Sequence, residues 1–543
     1  MEEITLDISS TLNETIRDYT PGSPERISLK SKLAEMENES YDIPIIIGGK
    51  EIFTGNKGQC RKPHDHEDIL AEYHKAGATE VNQAIDTALE AWHSWSNTPL
   101  EERIVIFRRA AELLAGPWRD TINAATMLGQ SKNVFQAEID AACELIDFFN
   151  FNCQFAEEIC NNQPLISPEG MHNSLEYRAL EGFVFAVSPF NFTSIAGNLP
   201  SAPALMGNVA LWKPASSSVY SGYFIMKLLQ EAGLPDGVIN FLPGSGAEVG
   251  DPVMDSPHLA GIHFTGSTAV FQGMWKRIGD NISKYHTYPR IVGETGGKDF
   301  ILAHESADPS SLATAMVRGA FEYQGQKCSA ASRCYIPESL WSDVKEKYLS
   351  QVADIKMGDV NDFSNFMNAV IDEASFDNIS SYIDYAKNSP EAEIISGGKY
   401  DKSKGYFVEP TTILTINAHF KTMEEEIFGP VLTIYLYNDS WEDICTIVDG
   451  TSQYALTGAI FAQDKKAVDL GRKMLIHSAG NFYINDKPSG AVVGQQPFGG
   501  SRASGTNDKA GSPINLYRWL SLRTVKETFD PPIDYRYPFM GEN

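Results

Sequence analysis

Cys328 lies in the stretch EYQGQKCSAASRC, behind Gly325, Gln326 and Lys327 and ahead of a run of small residues. A thiol there is either a small packed hydrophobe or a nucleophile. Gly325 and Ala330 leave room for a ligand, Gln326 and Lys327 are poor core formers, and Lys327 or a helix N-terminus would favour thiolate. Glu294, in GETGGKDF, puts a carboxylate at a strand end before two glycines, where it is either a turn residue or a general base. Asn191, in SPFNFTS, follows a strand, and its amide either caps the next helix or donates to a developing oxyanion. A thiol, an amide donor and a carboxylate are the groups needed for attack on a carbonyl, stabilisation of the adduct and its hydrolysis.

Several segments could hold a phosphate or ribose. In HFTGSTAVF, a strand runs through Gly266 and Ser267 into a helical pattern, which either presents backbone N–H groups to a pyrophosphate or is a simple N-cap. Lys213, in LWKPASSS, sits just past a strand, either solvated or within reach of ribose hydroxyls. GSGAEVG (244 to 250) spaces its glycines one residue off the dinucleotide fingerprint, and no ribose-binding acid follows at the usual distance. PHDH (63 to 66) offers two histidines without a third ligand nearby, so no metal is expected.

These residues need a scaffold of strand ends. From residue 183 to about 293 the short runs FVFAV, NVALW, GVINFL, GIHF and RIVG alternate with helical segments. That pattern predicts a parallel sheet with crossover helices. Residues 300 to 480 repeat it with AEIISGG, PVLTIYLY, GAIFA and GNFYIN, predicting a second α/β domain. Glu80 to about Cys160 carries helical spacing, with Cys153 and Cys160 on one core-facing side; IPIIIGGKEI (43 to 52) reads as a hairpin. SSSVYSGYFIMKLLQEAG reads as a serine-capped helix, and residues 1 to about 40 as a polar arm.

A chain of 543 residues supports two or three domains. With 71 acidic against 44 basic residues and a net charge of -27, it would repel nucleic acid and anionic lipid. No run of apolar residues is long enough to span a bilayer. Seven cysteines, an odd number in a long chain, fit a reducing compartment. The first twenty residues include five acids and one base, Arg17, with no apolar signal core. The expected location is the cytoplasm, with the mitochondrial matrix as the alternative if a presequence has been removed.

Taken in order, SPFNF, LWKPA, FTGS, GETGGK, GQKCSA, EEIFGP (425 to 430) and QPFGGSRASGTN (496 to 507) resemble the aldehyde dehydrogenase superfamily over about residues 43 to 530. Glu294 and Cys328 stand 34 residues apart, as that family's glutamate and cysteine do. The resemblance implies an aldehyde dehydrogenase-like α/β fold: a Rossmann-type NAD-binding domain (41–172 and 183–293), a catalytic domain (294–510), a small β oligomerisation flap (173–182 and 511–543) and an N-terminal arm (1–40). Cys328 is implied as nucleophile, Asn191 as oxyanion donor and Glu294 as general base. Ser188, Lys213, Gly266, Ser267, Glu426 and Phe428 are implied as cofactor contacts. NAD is favoured over NADP, although Ser216 stands where many members have a ribose-binding glutamate.

ETGGK, GQKCSAASRCYIP, GAVVGQQPFGG and ASGTNDKAG further resemble the branch that oxidises L-glutamate γ-semialdehyde to L-glutamate, the second step of proline catabolism. For that substrate the resemblance implies Ser329 and the Gly490–Ala491 backbone as carboxylate anchors, with Phe192 and Phe498 flanking the chain. A homodimer or larger homo-oligomer is expected, with functional coupling to a separate proline dehydrogenase. The alternatives are another ω-semialdehyde as substrate, a non-redox thiol hydrolase, and a non-catalytic binding protein.

Overall fold

The computed structural model describes residues 11–541. Two seven-stranded sheets organise it. In the first, the order is Arg290–Glu294, Leu259–Thr265, Phe183–Val187, Val209–Lys213, Ile239–Phe241, Ile45–Ile47, Lys50–Ile52. The first five are parallel, and the hairpin Ile45–Ile52 closes the edge antiparallel to them. The three central strands, Leu259–Thr265, Phe183–Val187 and Val209–Lys213, are almost wholly buried, as a sheet covered by helices on both faces requires. Successive strands run one way from Phe183–Val187 and then reverse to Leu259–Thr265 on its other side. The chain therefore leaves the carboxyl ends of these two neighbours in opposite directions and opens a crevice between them. Ser188 and Gly266 follow those ends.

The second sheet runs Ala392–Ser396, Thr411–Thr415, Val431–Tyr437, Ala331–Pro337, Asp299–Ala303, Thr457–Phe461, Asn481–Ile484. It is parallel apart from the edge strand Ala392–Ser396, which is antiparallel to Thr411–Thr415. Its faces bury two apolar clusters, one around Phe300, Ile379 and Ile444, the other around Met316, Val344 and Ile434.

Several expectations change in detail. The polar N-terminal stretch contains the helix Pro24–Glu37, capped by Ser23 Oγ, which accepts from Arg26 N (3.3 Å), and anchored by Leu29, Leu33 and Met36. Three buried apolar residues on an otherwise mostly polar helix gave too weak a period to read; residues 1–10 lie outside the described range. Cys153 is buried as expected, but Cys160, at its helix's last turn, is only partly so. The helix Val219–Glu231 follows a short 3₁₀ turn at Ser216–Ser218, and Ser218 makes no side-chain cap. Strands at Lys57–Lys62 and Asp65–His74 form a separate small sheet with Tyr41–Ile43. Within the C-terminal stretch read as strand-forming, Pro513–Tyr517 is a helical turn, and the strand Leu520–Thr528 starts only after it. That strand pairs antiparallel with Met171–Ala179 as a two-stranded ribbon within this chain.

Candidate active site

Cys328 follows a backbone that turns sharply. Tyr323, Gln324 and Gly325 have φ of 51°, 54° and 66°, three successive residues in the left-handed region. At Gly325 a side chain is excluded outright, because a Cβ would stand 2.2 Å from the Gly429 carbonyl oxygen. The glycine thus serves close backbone approach rather than ligand access. Gln326 and Lys327, expected to be exposed, are buried. Gln326 Oε1 accepts from Ile371 N (2.9 Å), and Lys327 Nζ pairs with Glu322 at 3.0 Å. Lys327 is therefore spent on a carboxylate and does not favour thiolate. Burial, and then the charges of Asp299, Glu294 and Glu426, push the Cys328 thiol well above its ordinary value.

The cap alternative for Asn191 fails. The next helix, Thr193–Leu205, receives its N-terminal capping from Asp140, whose carboxylate accepts from Thr193 N (3.0 Å) and Ser194 N (2.9 Å). Asn191 Nδ2 instead donates to the Gln326 carbonyl at 3.1 Å, which ties it to the cysteine loop two residues before Cys328. The second N–H on that nitrogen is left for another acceptor.

Glu294 ends the first sheet at its edge and faces the second half of the molecule. Its backbone carbonyl accepts from Gly266 N (3.2 Å), and Oε2 accepts from Gly500 N (3.3 Å). Burial pushes its carboxyl well above the usual range, with the Gly500 amide and Lys509 opposing. A raised carboxyl is a stronger base than a free one, which suits proton transfer.

Cys328 and Glu294 line one cavity of about 370 Å³, together with Ser329, Phe192, Phe498 and the Gly490–Ala491 turn. Gly490 has φ 90°, and Ser329 Oγ donates to Ser489 Oγ (3.2 Å) beside it. Asn191 is not among the lining residues but is tied to the cysteine loop through the Gln326 carbonyl. His263 reaches the cavity too, but its Nδ1 is engaged by the Leu199 carbonyl (2.9 Å) and burial lowers its pKa to about 4. Among the described residues no histidine is hydrogen-bonded to the Cys328 thiol, which removes the usual base of a thiol hydrolase.

Five carboxylates that line the cavity, Glu14, Asp140, Glu144, Asp147 and Glu322, escaped the sequence reading. Glu144 ends a π-helical segment, Glu138–Glu144, set between α-helical stretches, a distortion found often at functional sites. Its Oε2 accepts from Ser194 Oγ (3.0 Å), and burial followed by the Asp140 charge raises its pKa to about 8. The only signal was a run of acids in EIDAACELID inside an otherwise apolar helix.

The remaining residues are not among those lining that cavity. Lys213 is buried, donates to the Pro214 carbonyl (3.1 Å) and is lowered to about 8 by burial. Ser188 Oγ accepts from Trp212 Nε1 (2.9 Å). Ser267 caps the helix Thr268–Asn281 and is exposed there. Glu426 Oε1 accepts from Gly297 N (2.9 Å), and burial lifts it to about 7; Phe428, at φ 58°, packs edge-on against Phe190 at 5.7 Å. Gly296 must lack a Cβ, which would lie 2.4 Å from the Glu426 carboxylate. A buried lysine, a serine-capped helix N-terminus and a carboxylate held by glycine backbone are the groups present here for a dinucleotide. GSGAEVG also opens a serine-capped helix, Ser245 Oγ contacting both Glu248 N (3.2 Å) and Glu248 Oε2 (2.8 Å).

Residues 53–525 match the family model described as "Aldehyde dehydrogenase family", and the chain belongs to that family. It is 54% identical over 537 residues to a Dictyostelium discoideum protein named delta-1-pyrroline-5-carboxylate dehydrogenase, mitochondrial, covering 98% of this chain and 96% of that one. A human protein of the same name is 48% identical over 530 residues, covering 97% and 94%. Among solved structures, the delta-pyrroline-5-carboxylate dehydrogenase from Mycobacterium tuberculosis bound with NAD superposes with a TM-score of 0.96, at 49% identity and full coverage of both chains.

Proposed function

We propose that this protein oxidises L-glutamate γ-semialdehyde, the hydrolysed form of Δ1-pyrroline-5-carboxylate, to L-glutamate with NAD. The observation that carries the reading is the convergence of Cys328, Glu294 and the Ser329/Gly490–Ala491 corner on one cavity that also holds the Glu144 carboxylate. Backbone N–H groups at that turn and Ser329 suit an α-carboxylate, and Glu144 suits an α-ammonium. Phe192 and Phe498 take the methylene chain. An amino acid with an aldehyde at its far end satisfies all of them on an acidic protein.

In this mechanism Cys328 releases its proton to solvent water as Sγ adds to the aldehyde carbon, and the Asn191 amide with the Cys328 N–H holds the oxygen as an anion. NAD, when bound, supplies the hydride acceptor. Loss of hydride from the adduct leaves a thioester on Cys328. Glu294 then takes a proton from water, which adds to the thioester carbon, and the carbon–sulfur bond breaks to release L-glutamate and the thiol. Ser188, Lys213, Gly266, Ser267, Glu426 and Phe428 would hold the dinucleotide.

We assign residues 41–172 and 183–293 to cofactor binding and 294–510 to catalysis. The Met171–Ala179/Leu520–Thr528 ribbon would pair across subunits in a homodimer, since its outer edges are unpaired. A separate proline dehydrogenase would supply the substrate. The word "mitochondrial" in the names of the slime mould and human relatives favours the matrix over the cytoplasm. The test is NADH formation from a panel of aldehydes by wild type and Cys328→Ala. The expected result is preference for the α-amino acid semialdehyde, and loss of turnover with retained NAD binding in the variant. Preference for aldehydes lacking the amino acid group would overturn the reading.

A further inference from the structure

The N-terminal segment 11–19 has no regular structure of its own, yet Asn13 and Glu14 form part of the cavity wall. It is fastened at two points on the helical stretch beneath it. At one end Glu138, fully buried, accepts from Arg17 N (2.9 Å) and Tyr19 OH (2.8 Å), and Arg119 links it to Glu14 at 2.6 Å. At the other end Asp147, also buried, accepts from Glu14 N (2.7 Å) and from Asn13 Nδ2 (2.8 Å).

Asn13 does more than hold its own segment. The same Nδ2 donates to the Val493 carbonyl (2.7 Å), and Asn13 Oδ1 accepts from Gln495 Nε2 (2.9 Å). One amide therefore uses both donors and its acceptor to join Asp147 to a loop that begins two residues after Ala491. Val493 packs on Phe148 and Phe151, so the loop is held apolar-side by this helix and polar-side by Asn13. Positive φ at Gly490 (90°) and Gly494 (81°) marks the turns at which this loop would otherwise relax.

We infer that Asn13 is a positioning residue for the substrate: by clamping Val493 and Gln495 to Asp147 it fixes the Gly490–Ala491 turn that receives the α-carboxylate. This rests on the proposed function above. The clamp touches neither Cys328 nor the cofactor group, so it should act on amino acid recognition and not on chemistry.

The experiment compares wild type, Asn13→Ala, Gln495→Ala and the double variant with glutamate γ-semialdehyde and with propionaldehyde, which has no carboxylate to place. Loss of a multi-bond amide predicts a KM for the semialdehyde raised roughly five- to thirtyfold in Asn13→Ala. The kcat and the propionaldehyde KM should stay within about twofold, as for a lost ground-state contact. Gln495→Ala should shift KM the same way, and the double variant less than additively. Gln495 is exposed, so its variant carries the test if Asn13→Ala does not fold. An unchanged semialdehyde KM, an equal rise for both aldehydes, or a matching fall in kcat overturns the inference. A wild type with no preference for the semialdehyde would remove the functional reading itself, whatever the variants do.

Discussion

Replacing Glu294 by glutamine separates the two halves of the proposed reaction. The carboxylate receives a single long hydrogen bond, from Gly500 N at 3.3 Å, and glutamine retains an oxygen to accept it. Folding stability should therefore change by less than about 1 kcal/mol. The chemistry should not be spared: a positioned base contributes roughly 10²- to 10⁴-fold, or about 3–5 kcal/mol of barrier. The loss falls on thioester hydrolysis, because addition of sulfur uses Cys328 and Asn191. Glu294 even opposes thiolate formation, since its negative charge raises the Cys328 thiol. Stopped-flow NADH absorbance should then show a burst equal to the concentration of active sites, followed by a steady state slowed by at least a hundredfold. In wild type the hydrolytic rate should climb with pH through the raised carboxyl value, since only the ionised form accepts a proton; the variant should lack that limb. A variant whose burst disappears together with its steady state, or whose steady state falls less than tenfold, refutes the assignment of Glu294 to hydrolysis alone.

Two more perturbations probe the substrate and cofactor ends. Glu144, with a pKa of about 8, is largely protonated at pH 7 and ionises as pH rises, so KM for the free semialdehyde should fall between pH 7 and 9. Glu144→Gln should flatten that profile and raise KM at pH 9 roughly tenfold; steady-state kinetics across pH decides, and an unchanged profile sinks the ammonium role. Ser216 sits in the turn after the Lys213 strand, with Oγ on the Gly244 carbonyl (3.4 Å). Ser216→Glu should disfavour a 2′-phosphate by repulsion and lower turnover with NADP relative to NAD roughly tenfold; an unaltered ratio would mean that this turn does not face the ribose.

The sheets were legible because buried parallel strands announce themselves: FVFAV, NVALW and GIHF are continuous apolar runs and all three became central strands. The edges were less so. Thr457–Phe461 and Asn481–Ile484 read clearly, but the small sheet with Lys57–Lys62 mixes charge and polarity on both faces and has no alternation to detect. Among site residues, Cys328, Glu294 and Asn191 stood out by their glycine or aromatic neighbours. Glu144, Asp140 and Asn13 did not, since each acts through a partner remote in sequence: Asp140 through Thr193 and Ser194, Asn13 through Val493 and Gln495. No local pattern encodes a contact across 480 residues.

The least legible property was the charge state of the nucleophile. Lys327 beside Cys328 suggested a thiolate held by a neighbouring cation, yet the lysine pairs with Glu322 and the sulfur is left facing carboxylates. Both Cys328 and Glu294 are pushed up by burial, which favours the neutral thiol over the thiolate. A neutral thiol oxidises and alkylates slowly, because the thiolate is the reactive form in both reactions. In the proposed reaction, reactivity develops with the substrate: as sulfur bonds to the aldehyde carbon, its negative charge passes to the carbonyl oxygen, where the Asn191 amide would receive it. The acidic surroundings that disfavour a charged sulfur thus penalise it least once that charge has moved onto oxygen, and the same burial that suppresses the thiolate would favour the adduct over it.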